Sequence, residues 1–193
     1  MKTLYQKIQR IESLQAKADE QTSYFKKHAN IDCLEHCAEC CRYDDIEATP
    51  IEFLPLAWHA YKLGLIDEWL EKLSNNNSKQ CIFSVFEDGK WGCRVYPVRG
   101  MICRLFGFAA VKNKCGKNEL AVCHTIKEKC PDIAIKASEY TKKGGKTPVL
   151  EEFYSLLSDI DFTLANEYFP INEAIKQALV IVQTHTYYST INY

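Results

Sequence analysis

The sequence predicts an α+β protein, mostly helical, arranged around a small cysteine-rich core of short β-hairpins and loops. Three observations carry that expectation. All ten cysteines fall between residues 33 and 130, so neither flank contains one. Both flanks carry apolar residues at helical spacing. Between them, Asp88-Gly89 separates two strand-like runs, a strong short-range hairpin signal. The expected plan is an N-terminal amphipathic helix over residues 1–32, a cysteine-bearing domain over 33–130 and a C-terminal helical layer over 131–193. A chain of 193 residues is long enough to join these around a substantial buried core as one compact unit.

Residues 2–29 place Leu4, Ile8, Ile11, Leu14 and Ala18 on one face of a long helix that docks by that face. Thr49-Pro50-Ile51-Glu52 reads as a helix start: Thr49 caps, Pro50 suits the first helical position and Glu52 reaches back. Pro55 either kinks this helix or marks its true beginning. Trp58, Tyr61 and Leu65 continue the apolar face, and Gly64 is a stop. A short helix over 68–73 ends in the polar loop 74–78. Residues 80–95 form a hairpin in which the run from Cys81 to Phe86 is one strand. With a two-residue turn Cys93 opposes Ser84, so Cys81 and Cys93 face opposite sides unless a bulge intervenes. A turn or single helical turn follows Pro97. A second hairpin pairs residues 105–111 with 119–123, with Cys115-Gly116 at its tip. Lys142-Lys143-Gly144-Gly145-Lys146 is a flexible basic link. Thr147-Pro148 opens a helix bearing Leu150, Phe153, Tyr154 and Leu157. Pro170 opens the last, with Ile171, Ala174, Ile175, Ala178, Leu179 and Val182 in register.

The net charge of -1 directs the chain neither to nucleic acid nor to an anionic membrane. Residues 112–146 hold nine lysines against four acids, without the aromatic interleaving of a nucleic-acid surface, and read as a solvated face. The N-terminus lacks the apolar run of a secretory signal, and no stretch reaches the ~20 apolar residues that span a bilayer. A cytoplasmic location is expected.

In a reducing compartment, clustered cysteines bind metal or do redox work more often than they form disulfides. Thiolates are soft donors suited to zinc and to iron–sulfur clusters. Cys33, Cys37 and Cys40 are spaced to bind one centre from a single loop. Adjacent Cys40 and Cys41 point opposite ways in extended chain. A zinc site and a cubane cluster each take four ligands, so the surplus of thiols argues for two sites or for one site and a reactive thiol. The Cys33-x3-Cys37-x2-Cys40 spacing also occurs in radical S-adenosylmethionine enzymes, but Glu39 stands where those favour an aromatic residue, and the repeated βα alternation they need is missing. His36 and His124 abut cysteines and are alternative ligands; His28, His59 and His185 sit in helical patterns and are read as structural.

Taken together, the group ending in Cys40-Cys41, the Cys81 hairpin, Cys93-Arg94-Val95-Tyr96, Arg99 four residues before Cys103-Arg104, and Cys123 resemble the YkgJ-type cysteine-cluster family of zinc- or iron-chelating domains. The resemblance covers residues 33–124. It implies eight metal-binding cysteines, Cys33, Cys37, Cys40, Cys41, Cys81, Cys93, Cys103 and Cys123, and leaves Cys115 and Cys130 as extras of this chain. The first spacing departs from the more usual Cys-x2-Cys, and Gly100 stands where the family usually has proline. Tyr96, Arg99 and Arg104 are expected to hold the turn, with the two arginines also placed to donate to thiolate sulfur. The family includes a larger flagellin lysine N-methylase that looks like an iron–sulfur and S-adenosylmethionine-dependent enzyme. This relative and the all-cysteine donor set imply an iron–sulfur cluster, [4Fe–4S] in type, ahead of zinc. The expected function is a cysteine-ligated metalloprotein with a redox, sensory or structural role. The alternatives are an S-adenosylmethionine-dependent protein-lysine N-methyltransferase and a thiol-redox or metal-storage protein without a fixed cluster.

Overall fold

A computed structural model describes residues 3–35, 37–43 and 45–191, with side chains described as far as residue 188. Helix α1 spans Leu4–Ala29 and opens on a capping box between Thr3 and Gln6. At 1.5 Å per residue it is about 39 Å long, and it runs along the whole core. Its buried stripe is Leu4, Ile8, Ile11, Gln15, Ala18, Thr22, Phe25 and Ala29. Gln15, not Leu14, takes the fourth position, and its Nε2 donates to the Glu52 carbonyl at 3.0 Å. Asn30 closes the helix in the left-handed region (φ 50°), a conformation asparagine tolerates.

Thr49 and Glu52 form the expected box, but it caps a 3-10 turn, Pro50–Phe53, that leads into α2 (Leu54–Leu63). Pro55 lies in the first turn of α2 and so marks its beginning; Gly64 ends it at φ 69°. Helix α3 is Ile66–Ser74. Strands β2 (Ser84–Glu87) and β3 (Lys90–Cys93) pair antiparallel, with Ser84 opposite Cys93 as the two-residue turn requires. Helix α4 is Met101–Leu105. The second hairpin is shorter than expected, β4 (Ala110–Lys112) with β5 (Asn118–Leu120), because Leu105 still belongs to α4 and the chain then turns at Gly107 (φ 79°).

Helices α5 (His124–Lys129) and α6 (Pro131–Lys142) occupy the lysine-rich stretch; α6 falls at the start of the expected C-terminal helical layer, whereas α5 lies in the part read only as a solvated face. Their buried face, Ile126, Ala134, Ala137 and Thr141, is too small to stand out beside so many lysines. Thr147-Pro148 does not open a helix. The Ala110 N–H donates to the Pro148 carbonyl at 2.8 Å, Val149 bridges Ala110, and α7 (Leu150–Ser158) starts only afterwards. Helix α8 is Phe162–Asn166, capped by Asp161. Pro170 belongs to a two-residue strand β6 (Phe169–Pro170) that pairs with β1 (Glu47–Ala48), and α9 (Ile171–Ile191) follows directly. No helix among the described residues is long and apolar enough to cross a membrane.

The buried apolar side chains form two clusters. The larger joins Ile8, Ile11 and Ala18 of α1 to α2, α3, α4, α7 and α9. The smaller joins Phe25, Ala29 and Ile31 to Phe108, Val122, Ile126, Ala134 and Ala137. Helix α1 contributes to both, and side chains of both, Phe53 and Leu56 from the larger and Phe108 and Ile126 from the smaller, line one cavity.

Candidate metal centre

A partly open cavity of about 330 Å³ is lined by Cys33, Cys37, Cys40, Cys41, Cys81, Cys93, Cys103 and Cys123. Cys115 and Cys130 are not on its wall, and all ten cysteines are free thiols. The cavity has roughly ten times the ~30 Å³ that one water occupies in the liquid. Among the described residues no group of three or more His, Cys, Asp or Glu is drawn close enough to hold an ion as it stands. The fold gathers the eight thiols around one cavity without bringing them to ligand distance of a common ion.

Each thiol arrives by a local device. After Asn30 reverses the chain, Asp32 accepts from the Cys33 N–H at 2.7 Å and is itself bound by Lys26 at 2.8 Å, which holds its carboxyl below the usual range against the effect of partial burial. Ala38 takes a left-handed φ of 41° and starts the 3-10 turn Glu39–Cys41, which presents Cys40 and Cys41. That turn is pinned by Arg42, which pairs with Glu39 at 2.8 Å and lies over the Trp91 ring. The Cys81 N–H donates to the Cys41 carbonyl at 3.0 Å and ties the two segments together.

Cys81 is not a strand residue. It sits in a turn closed by the Ser84 N–H on the Cys81 carbonyl at 3.0 Å, with the strand starting only at Ser84. A turn, not a bulge, therefore brings Cys81 to the same cavity as Cys93. Asp88 (φ 51°) and Gly89 (φ 75°) make the consecutive left-handed pair that a tight hairpin needs. Cys103 rides on α4, whose Ile102 N–H donates to Glu52 Oε2 at 2.6 Å. A Cβ at Gly100 would lie 2.6 Å from the Phe53 ring, so neither proline nor any other side chain fits there without moving Phe53. Cys123 caps α5 and packs on Gly107, where a Cβ would approach its own to 3.0 Å.

Arg104 is buried, and its guanidinium clamps the turn. Nε donates to the Arg99 carbonyl at 3.1 Å, one Nη to the Pro97 carbonyl at 2.8 Å, and the other to Asp19 of α1. Arg99 stacks over Tyr96 at 3.7 Å and reaches Asp19 at 3.5 Å, while its buried Nε has no partner. Lys26, Arg99 and Arg104 line the cavity together with one acid, Glu39, which is paired with Arg42.

Burial pushes the thiols up: Cys81 to about 11, and Cys33 to about 11 with the neighbouring sulfurs of Cys37, Cys40 and Cys123 adding to the effect. Cys40 is raised by its thiol contact with Cys41 and by burial, and Cys103 by burial and then by Cys81. Backbone N–H groups oppose this. The amides of Phe83 and Ser84 favour the Cys81 thiolate, and that of Val95 the Cys93 thiolate. Arg99 also favours the Cys93 thiolate. Crowded thiols that repel when ionised, surrounded by N–H donors and an unpartnered arginine Nε, suit a cation that the thiolates would share. The residues present fit zinc or an iron–sulfur cluster.

His124 points elsewhere, pairing with Glu128 at 3.1 Å, and His28 Nδ1 donates to the Tyr24 carbonyl at 2.8 Å; His36 lies outside the described residues. Sequence reasoning missed Asp19, Thr22 and Lys26. The signal was a polar stripe, Gln15, Asp19, Thr22 and Lys26, at four-three-four spacing on the buried side of α1.

A thiol-lined cavity on a helical scaffold defines a cysteine-rich chelating domain. The CxxCxxCC family model, described as "Putative zinc- or iron-chelating domain", matches residues 32–142, more than half of the chain, and the protein belongs to that family. No curated protein and no solved structure matches the chain.

Proposed function

We propose that the protein binds its metal in this cavity through the eight cysteines and that the occupant is an iron–sulfur cluster. The observation that carries the reading is that the eight thiols, from five separate segments, line one cavity. Among the described residues no histidine lines it, and its volume exceeds what a single zinc ion needs. An all-thiolate set with N–H donors to sulfur suits a cluster. When bound, the cluster would supply one-electron transfer or a rigid inorganic cross-link. The chain's own residues gather the thiols, neutralise charge through Lys26, Arg99 and Arg104, and cover the group with the hairpin and α5. No observation favours the methyl-transfer alternative.

Anaerobic purification of the full chain, followed by iron, zinc and acid-labile sulfide determination, tests this. Brown protein with iron and sulfide in equal amounts is expected. Colourless protein with tightly held zinc and no sulfide replaces the cluster by zinc in the same cavity. Protein that holds neither metal after reconstitution contradicts the reading.

A further inference from the structure

We infer that the eight thiols form two four-thiolate centres: an inner one around Cys81, Cys93 and Cys103, and an outer one around Cys33, Cys37 and Cys123. The adjacent Cys40 and Cys41 supply one thiol to each. This rests on the metal-binding reading above and goes beyond it by fixing the number of centres and their membership.

Tetrahedral zinc and a cubane cluster both take four cysteines, and the cavity offers twice that number. The thiols also divide by neighbourhood. Cys33, Cys37 and Cys40 share one loop after α1, whereas Cys81, Cys93 and Cys103 come from the turn before β2, from β3 and from α4. Cys40 and Cys41 are adjacent on the turn Glu39–Cys41, and the Cys41 carbonyl accepts from the Cys81 N–H at 3.0 Å, so the pair stands between that loop and Cys81. The hydrophobic core divides in the same way. Cys41, Cys81, Cys93 and Cys103 pack with the larger cluster, and Cys123 with the smaller. The inner group and Cys123 therefore have separate apolar backings. The outer centre would join the loop after α1 to the start of α5, two places with no other covalent or metal link.

Titration of the anaerobic apoprotein with Co²⁺ alone, followed by thiolate-to-cobalt charge-transfer absorption, tests this in the wild-type chain. Absorption is expected to saturate at two equivalents. Cys33→Ala and Cys123→Ala should each saturate at one, and so should Cys81→Ala. Because Cys81 is buried and its loss could unfold the chain, the wild-type titration and the two outer variants decide. Saturation of the wild type at one equivalent, or loss of all binding in Cys123→Ala with its helical content unchanged, overturns the partition and leaves metal binding standing. A wild-type chain that binds no cobalt overturns both.

Discussion

Cys81, Cys93 and Cys103 reach the cavity from a hairpin and a helix whose backbones are fixed by their own hydrogen bonds and by the larger core. Cys33 and Cys37 ride on a loop outside regular secondary structure, where the Cys33 N–H donates to Asp32 and the Cys37 N–H to the Leu34 carbonyl at 3.2 Å. The inner wall is scaffold; the outer wall is chain that a metal would organise. The contrast separates what apolar burial alone fixes from what awaits ligation.

The largest effect should come from the inner wall. Cys103→Ser is expected to lower metal content and to lower stability by about 4 kcal/mol or more, the linkage expected for metal at 1,000 times its Kd. That corresponds to a Tm lower by roughly 8–16 °C for a chain of this size. Cys37→Ser should cost metal with a smaller change in Tm. Equal Tm losses, read by calorimetry of the metal-loaded variants, would erase the contrast.

Glu52 sharpens it next. The carboxyl is fully buried and accepts from the Thr49 N–H and hydroxyl, the Ile102 N–H and the Tyr154 hydroxyl. Glu52→Ala leaves these donors without an acceptor and should cost about 3 kcal/mol in denaturant unfolding, without needing metal to show it. Burial raises the Glu52 carboxyl above its ordinary value. A raised folded-state value means that its stabilising contribution is complete below the unfolded-state value and is lost as pH rises through the folded-state one. Glu52→Gln should remove that slope from a plot of stability against pH.

Arg104→Ala should cost about 2–3 kcal/mol, since Asp19 and two carbonyls lose their donor. Arg104→Lys should restore little of it, because a single ammonium cannot reproduce the fork. The smallest effect is Asp161→Asn, which removes the Lys7 pair at 2.7 Å and should cost at most about 1 kcal/mol at pH 7. The depressed Asp161 value places that contribution above its unfolded-state pKa, and it fades as pH falls through the folded-state one. Urea unfolding at pH 7 and at low pH checks both.

What the sequence made legible was local chemistry. Asp88-Gly89 fixed the register of the β2–β3 hairpin because a two-residue turn leaves no choice. Thr49, Glu52 and Gly64 marked helix ends because caps act within one turn. The pairing of α5 with α6 was hidden because its apolar face is built from alanines and a single isoleucine among lysines. The β1–β6 pairing was hidden because two-residue strands over a hundred positions apart have no local signature. The turn that places Cys81 beside Cys93 was likewise invisible to strand alternation. The membership of Cys123 in the site came from family resemblance, since nothing near residue 33 specifies a partner some ninety residues away.

X-ray absorption at the metal edge of the anaerobically purified full chain tests the central claim most directly. The account predicts a first shell of four sulfurs at about 2.3 Å, with an iron–iron scattering shell when a cluster is present. A first shell dominated by nitrogen or oxygen would contradict it.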